Sequence, residues 1–195
     1  MNVAGLLLAA GEGRRMGTPK ALLRDPHGVP WLDRSVGRLL DGGCTSVTVV
    51  LGAAADEAAG LLGDAGWDTD EAVRVVVAAD YAEGMGASLR AGVAALPEDG
   101  AAGVLVTLVD LPDVDERVVA RLLTLGCRPD TLARACYAGS PGHPVLLGRD
   151  HWAGVAAGAR GDRGARDYLA AHDVVAVECG DLATGRDQDT PADLR

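Results

Sequence analysis

Residues 6–23 read LLLAAGEGRRMGTPKALL, an apolar run that breaks directly into a loop with glycines at 11, 13 and 17. The run begins at Val3 and shows no polar alternation before Ala10. A strand without alternation is buried on both faces, as strands of parallel sheets are. Outward from this segment the theme repeats. Apolar, β-branched runs stand at 46–51, 73–78, 104–109, 132–137, 144–147 and 174–177. Ala-, Leu- and Arg-rich stretches of helical period predict helices over 31–41, 53–63, 86–96, 114–125, 150–157 and 163–171. Between 132 and 147 two strand candidates follow one another with no helix, which predicts a small antiparallel element. The reading is one domain over 1–195, of α/β class, with a doubly wound, mainly parallel sheet.

Composition narrows the function. Hydrophobic residues make up 48% of the 195 but aromatics only 3%, with no Phe, so the core is built from Val, Leu and Ala. A chain of this length buries roughly 70% of its unfolded surface and needs no disulfide or metal to fold. The net charge of −10 repels nucleic-acid phosphates and acidic membranes, so neither is expected as a partner. Residues 11–24 are the exception, with Arg14, Arg15, Lys20 and Arg24 against Glu12 alone. A basic segment on an acidic protein predicts a site for a small anion. Cys44, Cys127, Cys136 and Cys179 have no metal-ligand spacing and read as small buried residues of a reducing compartment. The N-terminal run lacks a basic leader and is too short to span a bilayer. The expected location is the cytoplasm.

The loop after the first strand fits neither standard phosphate motif. A P-loop needs Lys-Ser or Lys-Thr directly after its last glycine, and Gly17 is followed by Thr18-Pro19-Lys20. The dinucleotide fingerprint needs G-x-G-x-x-G, and Gly11, Gly13 and Gly17 are one residue too widely spaced. No acidic residue ends the second strand at Leu51 to hold a ribose. What remains is still directed chemistry. Glycines let consecutive N–H groups face an anion. An arginine at 14 or 15 can fork onto phosphate oxygens, and Lys20 adds a mobile point charge.

Carboxylates supply the complementary half. Asp110 follows the apolar run 104–109 and precedes Leu111-Pro112, at the carboxyl tip of a strand where ligands of open α/β sheets bind. It reads either as a turn residue or as a ligand for Mg²⁺, which takes oxygen donors from one or two carboxylates plus substrate phosphates. Asp187 and Asp189 stand in DQDTPADL, where Asp189-Thr190-Pro191 also reads as a helix start. Cap and metal ligand are equally good readings there.

LAAGEGRRMGTPKALL resembles the signature L-A-x-G-x-[GS]-x-R-[ML]-G-x-x-K of the nucleotidyltransferases of nucleotide sugars and of the molybdenum cofactor, the MobA-like superfamily. Arg15 and Lys20 fall on its Arg and Lys. VDLP at 109–112 resembles the superfamily's metal-binding segment, and DQDTPADL its closing D-x-D-T-P-x-D-L. Three more segments resemble the molybdenum cofactor cytidylyltransferases: DYAEGMGASLRAG at 80–92, GSPGHPVLL at 139–147 and GDRGARDYL at 161–169. Ala78-Ala79 departs from the Asn-Pro of that group, and Ala10 resembles the cytidylyl branch more than the guanylyl branch.

The resemblance implies a Rossmann-like nucleotidyltransferase fold and an Mg²⁺-dependent transfer of CMP from CTP to molybdopterin or molybdenum cofactor, releasing pyrophosphate. It implies Leu8, Ala9, Ala10, Gly11, Gly13, Arg15, Lys20, Gly84 and Ser88 as nucleotide contacts, with Arg15 and Lys20 catalytic. Asp110 and Asp189 would hold the metal, and His143, Arg163 and Arg166 would meet the acceptor. A molybdenum hydroxylase would receive the product. Three other readings stand beside it: a transferase to a sugar phosphate, a nicotine-blue-type NAD(P)H-dependent oxidoreductase, and a non-catalytic carrier of the matured cofactor.

Overall fold

The computed structural model of the protein describes residues 2–96 and 100–194. In chain order its elements are β1 (Val3–Ala9), α1 (Trp31–Asp41), β2 (Ser46–Leu51), α2 (Ala55–Asp64), β3 (Val73–Val77) and α3 (Met85–Ala94). There follow β4 (Gly103–Leu108), α4 (Glu116–Leu123), β5 (Leu132–Tyr137), β6 (Ser140–Gly148), α5 (Trp152–Gly158), α6 (Arg166–Ala170) and β7 (Val175–Glu178). The strands form one sheet in the order β3-β2-β1-β4-β6-β5-β7. All neighbours are parallel except β6, which runs antiparallel to both β4 and β5. The expected antiparallel element is this hairpin, inserted into an otherwise parallel sheet.

Burial explains the unbroken apolar strands. Leu7, Ala9, Val49, Leu51 and Leu105 pack on one face with Trp31, Leu32, Val36 and Leu39 of α1 and Val118, Val119 and Leu122 of α4. Their neighbours Leu6, Leu8, Val50, Val104 and Val106 pack on the other face with Leu89 of α3, Val155 of α5 and Leu169 of α6. Successive side chains of one strand thus enter two separate clusters, so no position can be polar cheaply. Trp31, Leu32, Val36 and Leu39 line one side of α1, with Asp33, Arg34 and Arg38 on the rest. Asp115 caps α4 by accepting the Arg117 N–H.

Two boundaries differ in a way that matters. β6 begins at Ser140 rather than 144, so His143 lies inside a strand. β4 ends at Leu108, which leaves Val109 and Asp110 to turn off the carboxyl end of the sheet. All four cysteines are buried, and none is joined in a disulfide. Among the described residues no helix is long and apolar enough to cross a membrane.

Candidate active site

β1 and β4 lie side by side and parallel at the centre of the sheet. Parallel pairing puts both carboxyl ends on one edge, so the loop after β1 and the turn after β4 face each other. α3 begins beside them, after β3. Together they enclose a cleft of about 640 Å³. Leu8, Ala9, Ala10, Gly11, Gly13, Arg15, Lys20, Gly84 and Ser88 all line it, as do Asp110, Asp187, Asp189 and Arg166.

The loop folds back on itself at Gly13. Its φ is +61°, and a Cβ there would lie 1.9 Å from the Thr18 carbonyl oxygen, so only glycine fits. The N–H groups of Met16 and Gly17 both donate to the Gly13 carbonyl at 2.9 Å. The amides of Gly11, Glu12 and Gly13 make no backbone hydrogen bond among the described residues. Pro19 then leads into a single 3-10 turn, Lys20–Leu22, whose Ala21 is buried. The backbone of Lys20 is thereby anchored while its ammonium reaches across the cleft.

That ammonium holds the two loops together. Lys20 Nζ donates to Asp110 Oδ2 at 2.6 Å and also to Asp189 Oδ1. Arg15 Nη2 pairs with Asp189 Oδ2 at 2.9 Å. The Gln188 N–H donates to the Asp110 carbonyl at 3.0 Å and joins the 184–190 segment to the end of β4. Burial alone would pull the Lys20 ammonium below its ordinary value; the hydrogen bonds to Asp110 and Asp189 outweigh it and hold the pKa above. Burial also lifts the Asp110 carboxyl above the usual range, against the opposing pull of Lys20.

Whether Asp189 caps a helix or serves the cleft is decided by Asp193. Asp193 Oδ2 accepts from the Asp189 and Thr190 N–H groups and from the Thr190 hydroxyl. The Asp189 carboxylate is left to face the two cations. Asp187 joins Asp110 and Asp189 in a group whose ligand oxygens lie within 4.8 Å of one another. Asp110 Oδ1 is buried without a hydrogen-bond partner. Three oxygen donors, one of them unpartnered, fit a hard divalent cation such as Mg²⁺.

The residues expected to meet the acceptor are dispersed. Arg166 lines the cleft; Arg163 does not, and its Nη2 pairs with Asp167 at 3.2 Å. His143 also lies outside the lining, on β6. Its burial and the nearby Arg134 guanidinium pull its pKa down to about 4, so the ring is neutral at ordinary pH. Several residues of the site carry no local signature. Tyr81, Glu12 and Asp162 line the cleft. Arg134 is the only charged residue of the run LARACY, and that departure was the one available signal. Tyr137 supports two segments at once. Its hydroxyl donates to the His143 carbonyl at 2.6 Å. Its ring lies so close to Gly185 (φ +63°) that a Cβ there would approach to 2.1 Å.

A glycine loop with fixed cations, facing a cluster of carboxylates at the carboxyl edge of a mainly parallel sheet, has the chemistry to hold a polyphosphate together with a metal ion. Residues 5–176 match the MobA-like NTP transferase domain family, and the chain belongs to it. It is 38% identical over 199 aligned residues, 96% of its length and 92% of the relative's, to the nicotine blue oxidoreductase of Paenarthrobacter nicotinovorans. Among solved structures it is similar to Rv0371c from Mycobacterium tuberculosis H37Rv, with 28% identity, TM-score 0.78, and 99% of this chain and 95% of that one covered. The manganese complex of Rv0371c aligns with 27% identity, TM-score 0.76, and 99% and 96% coverage.

Proposed function

We propose that the protein transfers CMP from CTP to the phosphate of molybdopterin or molybdenum cofactor and releases pyrophosphate. The observation that carries this reading is the Lys20 ammonium held between Asp110 and Asp189 opposite the glycine loop. An acceptor phosphate oxygen attacks the α-phosphorus of CTP, and the bond from that phosphorus to the β-phosphate oxygen breaks. Such a displacement needs positioning and charge neutralisation more than proton transfer. The acceptor phosphate is already ionised, so no general base is required.

The N–H groups of residues 11–13 and the Arg15 guanidinium hold the β- and γ-phosphates. Lys20 leaves its carboxylates to neutralise the α-phosphate. Leu8, Ala9, Ala10, Gly84 and Ser88 form the wall against the nucleoside, while Arg166 and His143 stand toward the acceptor. Asp110 and Asp189, with Asp187 beside them, would hold Mg²⁺, which when bound offsets phosphate charge as a Lewis acid. That the Rv0371c relative forms a complex with manganese supports the use of a divalent ion. The setting is the cytoplasm, in keeping with four cysteines outside any disulfide, and a molybdenum hydroxylase is the recipient of the product.

The 38% identical relative, named an oxidoreductase, favours a second reading: hydride chemistry with NAD(P)H on a nicotine-blue-type substrate. The spacing of Gly11, Gly13 and Gly17 and the absence of an acidic residue at Leu51 oppose it. One experiment separates the two. The purified protein is incubated with Mg²⁺, molybdopterin and each nucleoside triphosphate, and pyrophosphate is measured beside NADPH absorbance. Pyrophosphate with CTP is the expected result; NADPH oxidation without pyrophosphate release overturns the proposal.

A further inference from the structure

Six carboxylates line the cleft: Glu12, Glu83, Asp110, Asp162, Asp187 and Asp189. Five of them are engaged. Glu12 pairs with Arg14 at 2.5 Å and Glu83 with Arg90 at 2.9 Å. Asp110 and Asp189 hold the Lys20 ammonium, and Asp187 belongs to the same group of oxygen donors. Asp162 is the exception, with no ion pair among the described residues. Its side chain caps neither the 3-10 turn Gly161–Arg163 nor α6. Arg14 feels its charge, but behind that of Glu12, which holds the guanidinium.

The fold nevertheless fixes where this acid stands. Arg90 Nη1 of α3 donates to the Ala159 carbonyl at 2.8 Å. A Cβ on Gly86 would lie 2.6 Å from the Arg160 nitrogen, and one on Gly84 would lie 2.5 Å from Asp162 Oδ1. These two glycines let residues 159–162 press directly on the start of α3, and the carboxylate comes to rest beside Gly84 at the cleft wall. Gly161 and Gly164, with φ of +48° and +52°, make the turns on either side. The backbone of this segment needs its glycines; it has no structural use for the acid between them.

An ionised carboxylate accepts hydrogen bonds and donates none. In a cleft that takes a polyphosphate it repels the ligand unless the ligand brings donors to it. Its two oxygens match two parallel N–H groups on one edge of a planar partner. A 2-amino-4-oxopyrimidine ring has such an edge, with its ring N–H beside its 2-amino group. Cytosine lacks it, because a ring nitrogen that only accepts stands beside its amino group and opposes the second oxygen. We infer that Asp162 binds the N–H and 2-amino edge of a 2-amino-4-oxopyrimidine ring, the pterin of the acceptor. The inference rests on the transferase reading and deepens it. Arg166 lines the same cleft, so the segment 161–166 offers an acid to the ring and a cation to the phosphate of one acceptor. A sugar phosphate has no such edge and is not selected.

The test uses the full chain and two fluorescent probes, 6-hydroxymethylpterin and its 2-oxo counterpart 6-hydroxymethyllumazine. The pterin is expected to bind at least about tenfold more tightly, since a site that pairs with an amino group rejects the analogue lacking it. Asp162→Asn exchanges one acceptor for a donor and should reverse that order, which the loss of a merely structural contact would not do. Asp173→Asn removes an equal charge outside the cleft lining and should leave the order unchanged. Equal binding of the two probes to the unaltered protein overturns the inference without the variant, as does an unreversed order in Asp162→Asn. Guanine carries the same edge, so GTP and CTP are each added to the bound pterin. Displacement by either nucleotide puts the ring in the nucleotide's place and overturns the assignment to the acceptor. CTP binding, followed by calorimetry, separates this inference from the reading beneath it. CTP binding without preference for the pterin sinks the role of Asp162 alone; the preference without CTP binding sinks the CTP transferase reading and leaves that role standing.

Discussion

Lys20 occupies the position of a cation among carboxylates, and this gives it two opposed effects. In the free protein its ammonium neutralises Asp110 and Asp189. For the same reason it competes with any divalent ion for Asp110 Oδ2. Replacing Lys20 with Met removes both. Deleting one partner of a largely buried ion pair costs about 3 kcal/mol or more, because the remaining charge keeps its desolvation penalty. The melting temperature of Lys20→Met should therefore fall in the absence of metal. Its Mn²⁺ affinity, read by calorimetry, should rise even as pyrophosphate release falls at least about a hundredfold, the loss typical of removing one charge-stabilising donor. Weaker Mn²⁺ binding in Lys20→Met would show that the lysine organises the carboxylates instead of competing for them.

At the scale of elements, the 184–190 segment is positioned from below as well as from the cleft. The Thr184 N–H and hydroxyl donate to Asp113 Oδ2 at 2.6 and 2.5 Å, and Gly185 lies on the Tyr137 ring. Gly185→Ala must lift the segment off that ring and carry Asp187 and Asp189 with it. A non-glycine residue at positive φ adds about 1 kcal/mol of strain. The expected result is roughly tenfold weaker Mn²⁺ binding, equal to about 1.4 kcal/mol, with the far-ultraviolet circular dichroism unchanged. Native Mn²⁺ affinity in this variant would separate the tail from the metal site. Such long-range dependence marks what local sequence reveals and what it does not. The inner strands were legible because burial on both faces leaves uninterrupted apolar runs, the edge strands β3 and β7 because of their β-branched valines, and the helices because one side of each must stay apolar. The first four residues of β6 were not, since Ser140, Pro141, Gly142 and His143 are drawn into a strand by pairing with β5 rather than by propensity. The place of loop 11–20, Asp110 and Asp189 along the cleft was legible because each stands beside the carboxyl end of a strand or in a charged local motif. Tyr137 and Gly185 were not, because the two meet only once the chain has folded. The capping alternative at Asp189 could be decided only by the position of Asp193.

For the molecule as a whole, ligand binding must appear as stability. A ligand at a hundred times its dissociation constant adds about 2.7 kcal/mol to the folded state. In a domain of this size each kcal/mol shifts the melting temperature by about 2–4 °C. CTP with Mg²⁺ should therefore raise the melting temperature by roughly 5–11 °C at that excess, and NADPH should not move it. The reverse pattern in a thermal-shift series would favour hydride chemistry. Acidic charge spread over the rest of the chain leaves the 11–24 segment as an attractive spot for a polyanion, so the CTP response should weaken as salt screens it.

Tyr137 supplies the last consequence. One ring sits beneath Gly185 and, through its hydroxyl, holds the carbonyl of His143. The segment that bears the carboxylates and the strand that carries His143 thus rest on a common pivot. Any tilt of that pivot on loading one half is transmitted to the other, and thermodynamic reciprocity makes the factor the same in both directions. A ligand that tightens the carboxylate segment should therefore tighten the His143 strand as well, and a ligand held by that strand should strengthen Mn²⁺ binding by the same factor.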